Sequence, residues 1–135
     1  MFPRRFLGVL AVVGFVAIAC GGSQPTLHGR LHLSTSDGVF HSGNKCHGTG
    51  GYDDLQQGAS VTVKNEAGSI IATTSLDDGV SDPAYPTVAC DFSFVVPNVP
   101  DAKFYTVEVS HRGALTYSKD QLTANGWKVE ASIGS

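Results

Sequence analysis

The chain has 135 residues and a formal net charge of −3, and hydrophobic residues make up 41% of it. This length corresponds to one small domain with a single core and argues against a multidomain protein. Its nine Lys and Arg residues are scattered among twelve Asp and Glu. The sequence therefore lacks the clustered cations that a nucleic-acid backbone requires, and we expect no nucleic-acid partner.

The first twenty residues are typical of an export signal. Arg4 and Arg5 precede an uncharged apolar run over residues 6–19, and the run ends directly at Cys20. A membrane-spanning helix needs roughly 20 apolar residues, so this run is too short to cross a bilayer comfortably. A basic end, an apolar middle and small residues at the cut predict a signal peptide that is removed.

Two kinds of cleavage fit this segment. Ala17, Ile18 and Ala19 satisfy the small-x-small pattern of ordinary secretion, which would leave a plain secreted protein with a spare thiol. With Cys20 they also resemble the lipobox of bacterial lipoproteins, whose cysteine is lipidated and becomes the mature N-terminus. The lipobox is favoured because Cys20 abuts the apolar run and a Gly-Gly-Ser-Gln-Pro tether follows it.

The predicted organisation follows from the lipobox. Residues 1–19 are the signal peptide, residues 20–25 are the lipidated Cys20 and a flexible tether, and residues 26–135 are the folded domain. Two acyl chains on Cys20 are enough for stable anchoring in a lipid bilayer. We expect a lipid-anchored protein on the extracytoplasmic face of the cell membrane, with an envelope protein as a further candidate partner.

Alternation of apolar and polar residues predicts strands along the domain. The first, over residues 26–34, places Leu27, Leu31 and Leu33 on one face. A hairpin follows over residues 61–75, with its turn at Asn65 to Gly68. Further strands are predicted over the ranges 90–96, 104–112, 114–118 and 127–133, with one helical turn over 119–125. Residues 39–58 and 76–89 show no period and are expected to be irregular connections.

About seven short strands punctuated by turns predict an all-β, antiparallel sandwich. The segments VTVKNEAGSIIATT and FSFVVPNVPDAKFYTVEVSHRG resemble transthyretin-like and carboxypeptidase regulatory-like domains. Together with CHGTGGYDDL, the whole is also similar to small uncharacterised lipoproteins of actinobacterial type. The resemblance implies a Greek-key sandwich that serves as a binding or spacer module, and it brings no catalytic residues.

Cys46 and Cys90 remain once Cys20 is assigned to lipid. An even pair in an exported chain predicts one disulfide, whereas the alternative is two separate free thiols. Closing a loop of this length removes roughly 4 kcal/mol of entropy from the unfolded state on the chain-entropy model. For a domain of this size, that contribution is comparable to the whole net stability.

Four histidines lie within twenty residues of one another, and three of them are candidate metal ligands. His32 projects from the first strand, while His41 and His47 lie on the glycine-rich connection, so the three could hold Zn or Cu. Histidines that face solvent or make local hydrogen bonds are the alternative. No cofactor is expected if that alternative holds.

The acidic residues of the two irregular connections suggest a recognition surface instead. Loops on a rigid sandwich commonly carry binding residues, and the predicted disulfide would draw these two together. The candidate binding residues are His47, Tyr52, Asp53, Asp54, Asp77 and Asp78. Aspartates of this kind can hold calcium, but the twelve-residue calcium loop with its closing Glu is absent from the sequence.

Catalytic templates fail along the sequence. Residues 48–51 are not followed by the Lys of a phosphate loop, and there is no Gly-x-Ser-x-Gly elbow around a serine. We therefore expect a non-enzymatic binding or structural module of the cell envelope. An envelope metal-binding protein that uses the strand and loop histidines is the alternative.

Overall fold

A computed structural model describes residues 22–134. The predicted signal peptide and Cys20 lie outside the described residues, and residues 22–26 form no regular secondary structure. In the described part of the chain, no helix combines the length and apolar character needed to cross a membrane.

The described residues form ten β-strands, one short α-helix and one turn of 3-10 helix at Gly50–Tyr52. The strands are β1 (Leu27–Ser34), β2 (Val39–Ser42), β3 (Lys45–Gly48), β4 (Ser60–Lys64), β5 (Ile70–Ser75), β6 (Gly79–Ser81), β7 (Ala89–Val96), β8 (Phe104–Val109), β9 (Ala114–Ser118) and β10 (Lys128–Gly134). The helix α1 (Lys119–Ala124) lies between β9 and β10. Two sheets result, in the orders β10-β1-β7-β6-β3-β2 (sheet A) and β5-β4-β8-β9 (sheet B). The all-β, two-sheet architecture predicted from the sequence is confirmed.

The centre of sheet A is the antiparallel pair β1 and β7. Leu31 lies opposite Phe92 and Leu33 lies opposite Cys90, and all four side chains are fully buried. This pairing follows from the alternation of both strands, because a shift of one residue would turn every apolar side chain toward solvent.

Sheet A departs from the expectation of purely antiparallel strands. The last strand, β10, pairs with β1 in parallel, with Gly29 beside Val129 and Leu33 beside Ile133. The chain reaches β10 from β9 of the other sheet through α1. Ser118 and Gln121 form a capping box at the start of this helix, which is the single helical turn predicted from the sequence.

The two segments predicted to be irregular also form strands. Residues 39–48 make a β2–β3 hairpin that turns at Gly43, and β6 pairs with β3 and β7. These strands have only three or four residues. Such short elements carry no detectable period, which is why the expected seven strands become ten in the described residues.

Sheet B is built from the predicted hairpin β4–β5 and from the antiparallel pair β8–β9, joined by β4 and β8. The side chain of Asn65 accepts hydrogen bonds from the backbone N–H of Ala67 and Ser69, and Gly68 adopts a positive φ, so the first hairpin turn forms as expected. Val61 and Val63 of β4 and Tyr105 of β8 complete a core shared with sheet A.

Cys46 of β3 and Cys90 of β7 form a disulfide, which confirms the predicted bond. Strands β3 and β7 flank β6, and in a flat sheet two such strands lie roughly 9 to 10 Å apart. The Cα atoms of the two cysteines are only 5.8 Å apart. Sheet A therefore folds sharply at β6, and the disulfide closes the inner side of the fold.

Gly79 of β6 lies directly beneath this disulfide. A Cβ added at Gly79 would overlap the carbonyl oxygen of Cys46 and would lie 2.6 Å from the Sγ of Cys90. The absence of a side chain at residue 79 is thus what allows β3 and β7 to approach across β6.

We predict that Gly79→Ala lowers the free energy of unfolding by about 1 to 3 kcal/mol, because the added methyl group overpacks the disulfide. Gly51→Ala is the matched control, since a Cβ there meets no atom within 4 Å. Urea unfolding under non-reducing conditions measures both variants. Equal unfolding free energies for the two variants would contradict the proposed role of Gly79.

Candidate functional site

An apolar cleft of about 380 Å³ opens between β9 of sheet B and β10 of sheet A. Both are edge strands of their sheets, so no strand closes this side of the sandwich among the described residues. The lining includes Leu31, Phe94, Val109, Leu115, Ala131 and Ile133. Leu115 lies opposite the buried Val107 and faces inward, yet 44% of its surface is exposed, because nothing in the described chain covers it.

Charged side chains border this cleft. Arg30, Arg112 and Glu130 line its mouth. Arg30 donates to Asp91 and Arg112 donates to Asp54, so both guanidinium groups are already held by carboxylates. An apolar interior with a few oriented polar groups at the rim is the usual construction of a small-molecule site.

Arg112 fixes one end of the cleft by joining the β8–β9 connection to residues 51–54. Its Nε donates to both carboxylate oxygens of Asp54, at 2.9 and 2.8 Å, and a terminal nitrogen donates to the carbonyl of Gly51. The guanidinium carbon lies 4.8 Å from the ring centroid of Tyr52. The hydrogen bonds from Arg112 lower the pKa of Asp54 to about 2, against a burial effect that would raise it.

A second polar cluster lies on the outer face of sheet A. His32 Nδ1 is 2.6 Å from an oxygen of Asp91 on the neighbouring strand, and Arg30 donates to the other Asp91 oxygen at 2.5 Å. Asp82, in the connection between β6 and β7, places its Oδ2 3.9 Å from His32 Nδ1 and 4.0 Å from Arg30. Both carboxylates are largely buried, with 15% and 16% of their side-chain surfaces exposed.

Burial and hydrogen bonding have opposite effects on the pKa of Asp91 in this cluster. Burial raises the pKa of Asp91, but hydrogen bonds from Arg30 and His32 and the charges of both residues lower it, and the net pKa lies below the ordinary value. The hydrogen bond to Asp91 likewise raises the pKa of Arg30. Asp91 is therefore held as a carboxylate within the cluster.

The predicted binding residues separate into two groups. Tyr52 and Asp54 contact Arg112, beside the exposed Asp53. His47 and Asp78 instead line a shallow depression of about 220 Å³ next to Phe40 and Lys45, where Asp78 pairs with Lys45 at 2.8 Å.

Asp77 makes its own contact. It is exposed, and its backbone N–H donates to Ser93. The two connections do run side by side through β3 and β6, although as paired strands and not as facing loops.

The three candidate histidine ligands are not brought together. In the β2–β3 hairpin, His47 lies opposite Phe40, whereas His41 lies opposite Cys46. Neighbouring residues of a strand point to opposite faces, so His41 and His47 cannot converge on one ion. His41 Nδ1 instead lies 2.8 Å from the Ser81 hydroxyl. Among the described residues, the group of side chains close enough together to hold a metal ion is His32 with Asp82 and Asp91.

Sequence reasoning missed this cluster of Arg30, His32, Asp82 and Asp91. Alternation in the first strand predicts that Arg30 and His32 face outward. Alternation from Cys90 to Val96 predicts the same for Asp91. The missing information was that these two strands are neighbours, with His32 directly opposite Asp91. Periodicity gives the face of a strand but not its partner.

No protein family model, curated protein or solved structure matches this chain. The resemblance to transthyretin-like domains and to actinobacterial-type lipoproteins therefore stays a prediction. The architecture and the sites described above rest on the structure of this chain alone.

The pKa of Asp54 leads to a prediction about acid stability. Because the pKa of Asp54 is about 2 in the folded state and 3.8 for an unperturbed aspartate, the ion pair with Arg112 contributes stability above pH 3.8. That contribution is lost as the pH falls from 3.8 toward 2. We predict that Asp54→Asn destabilises the domain at pH 6 and that the difference from wild type shrinks by pH 2.

Urea unfolding at a series of pH values measures this difference. Asp53→Asn, which changes an exposed neighbouring carboxylate, is the control and should follow the wild-type curve. A difference between wild type and Asp54→Asn that stays constant from pH 6 to pH 2 would show that the ion pair does not stabilise the fold.

Proposed function

We propose that this chain is a lipid-anchored extracytoplasmic protein whose β-sandwich acts as a non-enzymatic binding module. The anchor is supported by the apolar segment that ends at Cys20 and by the Gly-rich tether after it. The disulfide between Cys46 and Cys90 is the kind of bond that persists in oxidising compartments outside the cytoplasm. The third cysteine, Cys20, is then left for lipid.

The observation that carries the binding role is the apolar cleft between β9 and β10. Its volume of about 380 Å³ falls within the range of small-molecule sites, roughly 300 to 1,000 Å³. The inward-facing Leu115 remains 44% exposed there, although burying such a side chain is worth about 1.5 to 3 kcal/mol. A ligand that covers the exposed 44% of Leu115 would recover part of that free energy.

The ligand class follows from the lining and from the anchor. Apolar side chains from both sheets face the cleft, and the rim carries cations and an anion that already have partners or neighbours of opposite charge. An apolar ligand is therefore favoured over a charged one. A domain tethered to a bilayer is surrounded by acyl chains, and we propose an acyl chain of a membrane lipid as the occupant.

We also propose that the two sheets form a Greek-key, transthyretin-like sandwich. Tyr105, at the start of β8, donates a hydrogen bond from its hydroxyl to the carbonyl of Pro100 at 3.1 Å and accepts one from the N–H of Ala102 at 2.9 Å. Greek-key sandwiches of the immunoglobulin type use a tyrosine in the same way. This contact supports the Greek-key part of the assignment, whereas the transthyretin-like part rests on the sequence resemblance alone; the parallel β1–β10 pair departs from an antiparallel sandwich.

Detergent-phase partitioning and intact-mass measurement of the membrane fraction test the anchor. We expect the wild-type chain to enter the detergent phase with a mass equal to residues 20–135 plus a diacylglycerol group. Cys20→Ser should lose this modification. A full-length, unacylated wild-type chain in the cytosol, with Cys46 and Cys90 reduced, would overturn the proposal.

Lipid extraction and mass spectrometry of the purified protein test the cleft. We predict that the wild-type chain co-purifies with an acyl lipid and that Ala131→Phe reduces this lipid at least severalfold, because the ring fills the cleft. Ala67→Phe introduces the same side chain at an exposed turn and should leave the lipid in place. Equal lipid in both variants, or none in the wild type, would argue against the cleft as the site.

A further inference from the structure

The cluster on the outer face of sheet A has the composition of a metal site. His32 on β1, Asp91 on β7 and Asp82 in the β6–β7 connection each offer one ligand atom, and these atoms lie within 4.8 Å of one another. Two of the three residues are directly opposite each other on paired central strands. Their relative position is therefore fixed by the backbone and not by a mobile loop.

The donor set suits a borderline divalent cation. One imidazole nitrogen and two carboxylate oxygens are ligands that Zn²⁺ binds at about 2.0 to 2.2 Å. In a tetrahedral arrangement, such ligands lie roughly 3.4 Å from one another. The distances of 2.6 and 3.9 Å from His32 Nδ1 to Asp91 and Asp82 bracket this value, so modest side-chain rotations would bring all three atoms to an ion.

Asp82 Oδ2 also lacks a close cation. Its distances to His32 Nδ1 and to Arg30 are 3.9 and 4.0 Å, both beyond hydrogen-bond length, while its Oδ1 accepts a hydrogen bond from the N–H of Ala84. One ligand oxygen is thus free to turn toward an ion, and the other already orients the carboxylate.

Arg30 positions the second carboxylate. It donates to Asp91 Oδ2 at 2.5 Å and leaves Asp91 Oδ1 directed at His32. Hydrogen bonds from outside the ligand set commonly orient metal-binding carboxylates in this way. Arg30 also lies beside Glu130 of β10, its neighbour in the parallel pair.

The charge of the region matches one divalent ion. Arg30 contributes one positive charge, and Asp82, Asp91 and Glu130 contribute three negative charges, so the formal charge with neutral His32 is −2. A concavity of about 300 Å³ above the cluster is lined by Arg30, His32, Asp82, Tyr85 and Glu130, and it opens to solvent. An ion and its remaining water ligands could enter from this side.

We propose that His32, Asp82 and Asp91 bind one Zn²⁺ ion on the outer face of sheet A. None of these three ligands lines the apolar cleft, although Arg30 and Glu130 border both the cleft and the concavity above the cluster. The site also differs from the three-histidine set, since it uses only His32 of that set.

Isothermal titration with Zn²⁺ tests the proposal on the untagged mature chain, residues 20–135, after treatment with a chelator. The chain carries Cys20→Ser, so that no free thiol competes for the metal. We expect one equivalent of Zn²⁺ to bind, and we expect Asp82→Asn and His32→Gln each to weaken binding at least about tenfold. Asn at residue 82 keeps an acceptor for the N–H of Ala84, so the connection can retain its turn.

Two control variants separate this site from its neighbours. Asp78→Asn removes the acid that pairs with Lys45, and His47→Gln removes a histidine of the alternative set, and both should bind Zn²⁺ as the wild type does. Added Zn²⁺ should also raise the thermal midpoint of the wild type by more than that of Asp82→Asn. Absence of Zn²⁺ binding, or wild-type affinity in both Asp82→Asn and His32→Gln, would overturn the proposal.

Discussion

The disulfide between Cys46 and Cys90 is the constraint on which much of this structure depends. It joins two strands that flank a third, and this is possible only because sheet A folds at Gly79. Closing a loop with a sequence separation of 44 stabilises the folded state by roughly 4 kcal/mol on the chain-entropy model. Strands as short as β2, β3 and β6 have few backbone hydrogen bonds of their own to hold them in the sheet.

The same cross-link organises the polar cluster on the opposite face. Cys90 points inward and Asp91 points outward, as neighbouring residues of a strand must. Ser81, the last residue of β6, pairs with Cys90 of β7, and Asp82 lies in the connection between these two strands. Asp82 directly follows Ser81 and Asp91 directly follows Cys90, so the disulfide and the proposed zinc site lie at the same corner of sheet A.

The sequence was sufficient for the parts of the fold with a clear period. Alternation gave the inward faces of the longest strands, with Leu31, Phe92 and Tyr105 in the core, and the cysteine count gave the disulfide. Short strands such as β6 were not predicted, because three residues cannot show a period. The parallel pairing of β10 with β1 was not predicted either, because periodicity does not encode strand order.

The candidate sites were harder to predict for the same reason. The loop residues Tyr52 and Asp54 looked available for a ligand, but Arg112, 58 residues after Asp54, holds Asp54. Histidines close in sequence, such as His41 and His47, face opposite ways across a hairpin. Asp91 and His32 are 59 residues apart in sequence and come into contact through strand pairing. Sites formed across a sheet require its strand order.

Hydrogen exchange followed by mass spectrometry is the most direct measurement of the central claim, with wild type compared to a Cys46→Ser, Cys90→Ser double variant. The account predicts that amides of β2, β3 and β6 lose protection when the cross-link is absent, whereas β1, β7 and β8 remain the most protected strands. Unchanged protection in β2, β3 and β6 would contradict the view that the disulfide holds this half of sheet A in place.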